Sequence, residues 1–349
     1  MTDTGALELL IDVNRSRSAA AGLDVFLYDH LTKGVSSFEE YRARFERQAR
    51  SFAERGAEAV VKGRGQTACD AFETAWRCYH YATCVPGSTR GEIAALLQRA
   101  ADAHKAALAA AKRPYVRFEA EDTGGLFCGL LERPAVDGHG TPAVIVVPGL
   151  DSSKEEFDRV ATTIRMRGLA TLRIDGPGQG EMLTRSRPLA DYERVITAAI
   201  DALKGLPDID TDRIGAIGLS LGGYYVSRAI AHEPRVRAAV AVTGPYEFPP
   251  WSSIPPLLRE ILSLRCDGER EAEEFSARVD LSRVAARIGQ PLLVVVGDAD
   301  PVVSAADARR LADEAPRAEL VELVGGDHLG ANRRWEWEPR VADWLTEQL

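Results

Sequence analysis

Apolar positions recur at helical spacing through the first third of the chain, then give way to short continuous runs. From Ser36-Ser37-Phe38-Glu39-Glu40 an amphipathic run continues to about Val61, and Ser37 with Glu40 forms a capping-box pattern at its start. A second helix is predicted from about Gln66 to Ala82, with Cys69, Phe72, Trp76 and Tyr79 on one stripe. A third, Arg90 to Ala111, is rich in alanine and leucine. Residues 1–112 therefore read as a helical domain without a useful strand.

From about Tyr115 the texture changes. Tyr115–Glu119 and Leu126–Leu131 predict an antiparallel opening pair. Ala143–Val147 is continuously apolar, as suits a strand buried on both faces. A helix over Lys154–Arg167 follows, then strand Ala170–Ile174, helix Asp191–Lys204, strand Ile214–Ile217, helix Leu221–Ala231 and strand Val236–Val242. After a break come strand Leu292–Val296, helix Ala305–Ala315, strand Ala318–Leu323 and helix Glu338–Gln348. Strand alternating with helix implies parallel βαβ units, so residues 113–349 are expected to form an α/β domain with a mostly parallel, doubly wound sheet. Residues 245–287 interrupt the alternation. They are proline-rich, then charged and helical, and read as an insertion over one end of the sheet.

Composition narrows the classes. The 349 residues are 45% hydrophobic and 27% charged, an ordinary globular balance, and the formal net charge is -9. An acidic chain lacks the basic face that would neutralise phosphates, which argues against a nucleic-acid partner. The arginines between Arg42 and Arg50 alternate with glutamate and read as a solvated helix face. Cys69, Cys78, Cys84, Cys128 and Cys266 are odd in number and fit no zinc or redox spacing, so a reduced, cytoplasmic setting is expected. The N-terminus has no signal-peptide pattern, and no run approaches the ~20 apolar residues of a membrane span, so no membrane partner is expected.

Three loops, each just past a predicted strand, carry the candidate chemistry. Gly218-Leu219-Ser220-Leu221-Gly222 is a G-x-S-x-G between strand and helix, where a sharp turn lifts the serine hydroxyl above the sheet. The helix that follows aims N–H groups and its dipole at the same spot. A serine needs a base, and His328, in Gly325-Gly326-Asp327-His328, is the candidate. An acid must hold the imidazole. Gly297-Asp298-Ala299-Asp300-Pro301 offers two, with Asp300 favoured by its spacing from Gly297 and Asp298 read as a turn cap. The order Ser, Asp, His is that of an α/β-hydrolase. Oxyanion donors are expected from the backbone N–H groups of Leu150, after strand Ala143–Val147, and Leu221. Ser152, Ser153, Glu155 and Glu156 read as helix caps, with a catalytic role for Glu156 left open. Asp175-Gly176-Pro177-Gly178-Gln179-Gly180 has the wrong glycine spacing for a dinucleotide site and reads as a rigid loop beside the active site. His30, His80, His104 and His232 form no pair at metal-ligand spacing, and His139 sits in an exposed glycine-rich loop, so no metal or cofactor is expected.

The runs PGLDSSKEEF, RGLATLRIDGPGQGEM, GLSLGGYY, GDADPVV and GGDH together resemble one branch of the α/β-hydrolases. That branch includes 2,6-dihydroxypseudooxynicotine hydrolase, the fungal heptaketide-shortening hydrolases and the fermentation–respiration switch group. The resemblance covers residues 115–349, and DGPGQGEM with DSSKEE is its most diagnostic part. It implies a triad of Ser220, Asp300 and His328, an N-terminal helical domain folded over the pocket as a lid, and a homodimer. It also implies hydrolysis of a C–C bond beside a carbonyl in an aromatic or polyketide-like small molecule, or simple esterase activity. Nicotine-pathway members use an extra acid on the loop corresponding to Thr243–Trp251, where Glu247 is the single acid.

An aromatic pocket is expected, drawn from Trp76, Tyr79, Tyr81, Tyr224, Tyr246, Phe248 and Trp251, with core packing favoured for Trp76 and Tyr225, and with Tyr246, Glu247 and Trp251 favoured as substrate contacts. A carboxylesterase, an acyltransferase and a binding protein on a retired hydrolase scaffold are the alternatives to C–C hydrolysis.

Overall fold

The change of texture near Tyr115 is also the boundary between two compact units, Met1–Pro114 and Tyr115–Leu349. The computed structural model describes residues 3–135 and 140–349. His139 lies outside the described residues.

The first unit is helical: α1 Asp3–Ala21, α2 Val25–Thr32, α3 Phe38–Val61, α4 Gly65–Tyr81 and α5 Arg90–Ala110. Side chains start these helices where the sequence allows. The Ser37 hydroxyl accepts the Glu40 N–H ahead of α3, and Thr89 and Glu92 form a reciprocal capping box ahead of α5. Trp76, Tyr79 and Tyr81 are buried in this unit's core with Tyr28, Tyr41 and Phe45. That burial agrees with the core packing favoured for Trp76 and replaces the expected pocket role of Tyr79 and Tyr81.

The second unit opens with β1 Val116–Phe118 and β2 Cys128–Glu132, which pair antiparallel. Then follow β3 Thr141–Val147, α6 Asp158–Arg165, β4 Ala170–Asp175, α7 Glu193–Leu203, β5 Ile209–Leu219, α8 Leu221–Ile230 and β6 Val236–Val242. The insertion supplies α9 Pro256–Cys266 and α10 Glu269–Ser276. The chain ends with β7 Leu292–Gly297, α11 Ala305–Glu314, β8 Ala318–Leu323 and α12 Arg334–Gln348. Among the described residues the strands form one eight-stranded sheet in the order β1-β2-β4-β3-β5-β6-β7-β8. It is parallel from β4 to β8, and β2 joins β4 antiparallel. This is the α/β-hydrolase fold. Val144–Val147, Ala238–Val242 and Leu292–Val296 are fully or almost fully buried because helices cover both faces of the parallel strands.

Two helix starts differ from expectation. Lys154–Phe157 is not helical, and α6 begins at Asp158 with no side-chain cap, so Ser152, Ser153, Glu155 and Glu156 do not cap it. Lys154 is fully buried instead and is held by ion pairs, which helical periodicity cannot register. The last helix begins at Arg334, not Glu338, and runs through Pro339. The proline loses one hydrogen bond, while buried Trp337, Val341, Trp344 and Leu345 hold the helix to the sheet.

The strand order reverses between β3 and β5, because β3 is followed in sequence by β4 on one side and flanked by β5 on the other. Loops leaving the carboxyl ends of β3 and β5 therefore diverge around a crevice, the usual place for a ligand in such a sheet.

Candidate active site

Ser220 stands at the end of β5 with φ 55° and ψ -127°, a conformation that a non-glycine residue rarely adopts. Its N–H donates to Val242 O at 2.9 Å, and its carbonyl accepts from Gly223 N at 2.7 Å, so the strain is held from both sides. The flanking glycines are required by close approach. A Cβ at Gly218 would lie 1.8 Å from Gly222 O, and one at Gly222 would lie 2.3 Å from Val147 O. Ser220 remains partly exposed, whereas Ile214–Leu219 before it are buried.

His328 follows β8 in a short 3₁₀ turn, His328–Arg333. Its Nε2 lies 3.0 Å from Ser220 Oγ, and its Nδ1 lies 2.8 Å from Asp300 Oδ2. An Nδ1–H donated to the carboxylate leaves the Nε2 lone pair facing the serine hydroxyl. Asp300 follows β7, and its Oδ1 accepts the N–H groups of Val302 at 2.7 Å and Val303 at 3.0 Å. Both carboxylate oxygens are thus engaged and the side chain is fully buried. Asp298 does a different job. It accepts the Gly325 N–H at 2.6 Å and ties the acid loop to the histidine loop. Asp327 and Asn332 exchange backbone-to-side-chain bonds of 3.0 Å, and Trp337 Nε1 donates to Gly330 O, fixing the turn that carries His328.

The loop after β3 passes directly over the serine. A Cβ at Gly149 would lie 3.4 Å from Ser220 Oγ. Leu150 follows in the next peptide, and Leu221 is the first residue of α8, whose N–H has no partner one turn back. Both candidate donors therefore belong to peptides next to residues packed at Ser220.

The expected substrate contacts are engaged elsewhere. Tyr246 is 1% exposed, its N–H donates to Asp307, its hydroxyl donates to Glu314, and Arg310 lies over its ring at 4.0 Å. Proximity to the Glu314 carboxylate and burial push its phenol well above the ordinary range, burial first. Glu247 is exposed and pairs with Arg310 at 3.1 Å. Trp251 Nε1 donates to Glu269 at 3.3 Å. Tyr224 is buried, with its hydroxyl donating to Arg278 O. These bonds run to α11, α10 and the chain after α10, a tertiary pairing that a proline-rich stretch does not announce.

Two groups near the site escaped the sequence reading. Gln179, in the rigid loop after β4, bonds to Pro148 O and Gly149 O. Lys154 is buried among Asp175, Glu155 and Glu181. Burial would discharge this ammonium, but the three carboxylates outweigh it and hold its pKa well above the usual lysine value. Arg173, also fully buried, adds a bond to Lys154 O and pairs with Glu132 and Asp158. Gln179 lies among glycines and Lys154 in the polar run Asp151–Glu156, so neither stands out from its neighbours in the sequence. Cys128, Asp175 and Glu181 place potential ligand atoms within 4.8 Å of one another. The Lys154 ammonium already supplies the cation at two of those carboxylates, so these residues do not fit a metal.

Among known proteins, the prolyl oligopeptidase family matches residues 157–349. A 2,6-dihydropseudooxynicotine hydrolase of Paenarthrobacter nicotinovorans is 35% identical over 212 residues, covering 60% of this chain and 58% of the relative. An alpha/beta hydrolase of Acremonium sp, ucsC, is 33% identical over 228 residues, covering 59% of this chain and 45% of the relative. The chain thus spans about half the length of these curated relatives. The crystal structure of a 2,6-dihydroxy-pseudo-oxynicotine hydrolase superposes with a TM-score of 0.84 at 27% identity, over 96% of this chain and 95% of that one.

Proposed function

We propose serine-dependent hydrolysis at a carbonyl carbon for this chain, which belongs to the prolyl oligopeptidase family of α/β-hydrolases and to the branch that holds the 2,6-dihydroxypseudooxynicotine and related fungal hydrolases. The observation that carries the reading is the hydrogen-bonded line Ser220–His328–Asp300, starting from a serine at positive φ. His328 Nε2 takes the Ser220 proton as the hydroxyl attacks the carbonyl carbon. Asp300 holds the ring and stabilises the imidazolium that forms. The tetrahedral oxyanion sits between the N–H groups of Leu150 and Leu221. Collapse breaks the bond to the leaving group, which takes its proton from His328 Nε2. Water, deprotonated by the same nitrogen, then attacks the acyl-serine and releases the acid.

The leaving group separates two readings. In the first it is a carbon, expelled from an aryl ketone or polyketide-like substrate that can delocalise the charge. This follows the chemistry that the resemblance implies. In the second it is an alcohol, and the enzyme is a carboxylesterase. The pairing of Glu247 with Arg310 favours the second reading, because it occupies the one acid on the loop where C–C-cleaving members use an extra carboxylate.

Product mass spectrometry decides between them. Incubation with an aryl 1,3-diketone and an aryl ester of similar size is expected to give acid plus shortened ketone from the diketone under the first reading. Ester cleavage alone would establish the second. In either case Ser220→Ala is expected to lower kcat at least about 10³-fold while the fold survives. Turnover near the parent's rate would overturn the proposal. We also propose a homodimer, as the resemblance implies, to be checked by sedimentation.

A further inference from the structure

We propose that Gln179 is a positioning residue of the oxyanion site, setting the peptide plane between Gly149 and Leu150 so that the Leu150 N–H faces Ser220. The inference rests on the serine-hydrolase reading above.

Gln179 is 1% exposed, and all four hydrogen-bonding positions of its amide are used. Nε2 donates to Pro148 O at 2.6 Å and to Gly149 O at 3.0 Å. Oε1 accepts the Gly176 N–H at 2.9 Å and the Tyr192 O–H at 2.8 Å. A flipped amide would set its oxygen against two carbonyls and its NH₂ against two donors, so the orientation is fixed by its neighbours. In a trans peptide the carbonyl and the following N–H point to opposite sides of the chain. Holding Gly149 O toward Gln179 therefore turns the Leu150 N–H the other way. Gly149 itself packs against Ser220, as the approach of its would-be Cβ to Oγ shows.

The surroundings are built to keep the glutamine still. The Tyr192 ring stacks on Tyr225 at 4.0 Å. Asp175 anchors both loops: it accepts the Lys154 N–H at 2.7 Å from the loop after β3, and the Glu181 N–H at 3.1 Å from its own loop. A Cβ at Gly180, which sits at φ 39°, would meet the Asp175 carboxylate at 2.1 Å. The sequence Asp-Gly-Pro-Gly-Gln-Gly-Glu thus forms a bracket that presents one amide to the loop over the serine. An oxyanion N–H needs such a bracket, because its benefit depends on pointing correctly before the charge develops.

The test compares Gln179→Leu, Gln179→Glu, Tyr192→Phe and Ser220→Ala on whichever of the aryl ester and aryl 1,3-diketone the parent enzyme cleaves. Gln179→Leu and, at neutral pH, Gln179→Glu are expected to lower kcat by about 10²-fold with KM nearly unchanged, the pattern of a donor that matters only in the transition state. For Gln179→Glu the ratio of kcat to the parent's is expected to rise as pH falls, since a protonated carboxyl can again donate to a carbonyl. Tyr192→Phe, which keeps the ring stacking, is expected to lower kcat less, with KM again unchanged. Parental kcat in the Gln179 variants, or a raised KM with kcat intact, would overturn the inference. Should Gln179→Leu fail to fold, parental kcat in Tyr192→Phe together with a flat pH ratio for Gln179→Glu would overturn it. Turnover by Ser220→Ala would instead overturn the hydrolase reading itself. An inactive Ser220→Ala beside fully active Gln179 variants would remove the inference alone.

Discussion

Asp298 and Asp300 sit two residues apart in one turn and have separate jobs. Asp300 faces His328 Nδ1, whereas Asp298 accepts the Gly325 N–H. Their substitutions should therefore part company. Asp300→Asn is expected to lower kcat by about 10⁴-fold, since an amide that donates to the ring stabilises the wrong tautomer. Asp298→Asn should leave kcat close to the parent's, because it keeps an oxygen for the same N–H. Steady-state kinetics on the two variants check this, and equal losses would contradict the assignment of Asp300. The three residues of the line were legible because each requires its own residue type just past a strand, in a fixed order. Gln179 was not legible as a partner of Gly149. Its role depends on a contact spanning thirty positions, and a glutamine between glycines has the composition of an ordinary turn.

Elements were legible where periodicity governs them and not where charge does. Ala143–Val147, Ala238–Val242 and Leu292–Val296 are continuous apolar runs, and the strands that hold them, β3, β6 and β7, lie within two residues of expectation. The stretch before α6, expected to be helical from Lys154, forms turns instead. It is drawn into the interior by Asp175, Glu181 and Arg173. Such a cluster is costly to break. Lys154→Met should destabilise the protein by about 3–5 kcal/mol, because it removes the ammonium paired with the fully buried Asp175 carboxylate. Denaturant unfolding checks it, and an unchanged midpoint would show that the ammonium is dispensable. The 245–287 stretch carries α9 and α10 between β6 and β7. Of its aromatic residues expected at the substrate, Tyr246 is instead bound to α11 through Glu314 and Asp307.

At the scale of the whole molecule, the change from helical spacing to short apolar runs near Tyr115 marks the boundary between the two units. No described helix is long and apolar enough to cross a membrane. The sheet's order brings together residues that are far apart in sequence: Ser220 and His328 meet across 108 positions, and the loop at Gly149 packs on the same serine. This convergence is what would make Ser220 a nucleophile. The most direct test is to label the protein with a fluorophosphonate probe, digest it and map the adduct by mass spectrometry. One adduct is expected, on Ser220, lost in Ser220→Ala and strongly slowed in His328→Ala. An adduct confined to another residue, or undiminished labelling of Ser220→Ala, would contradict it.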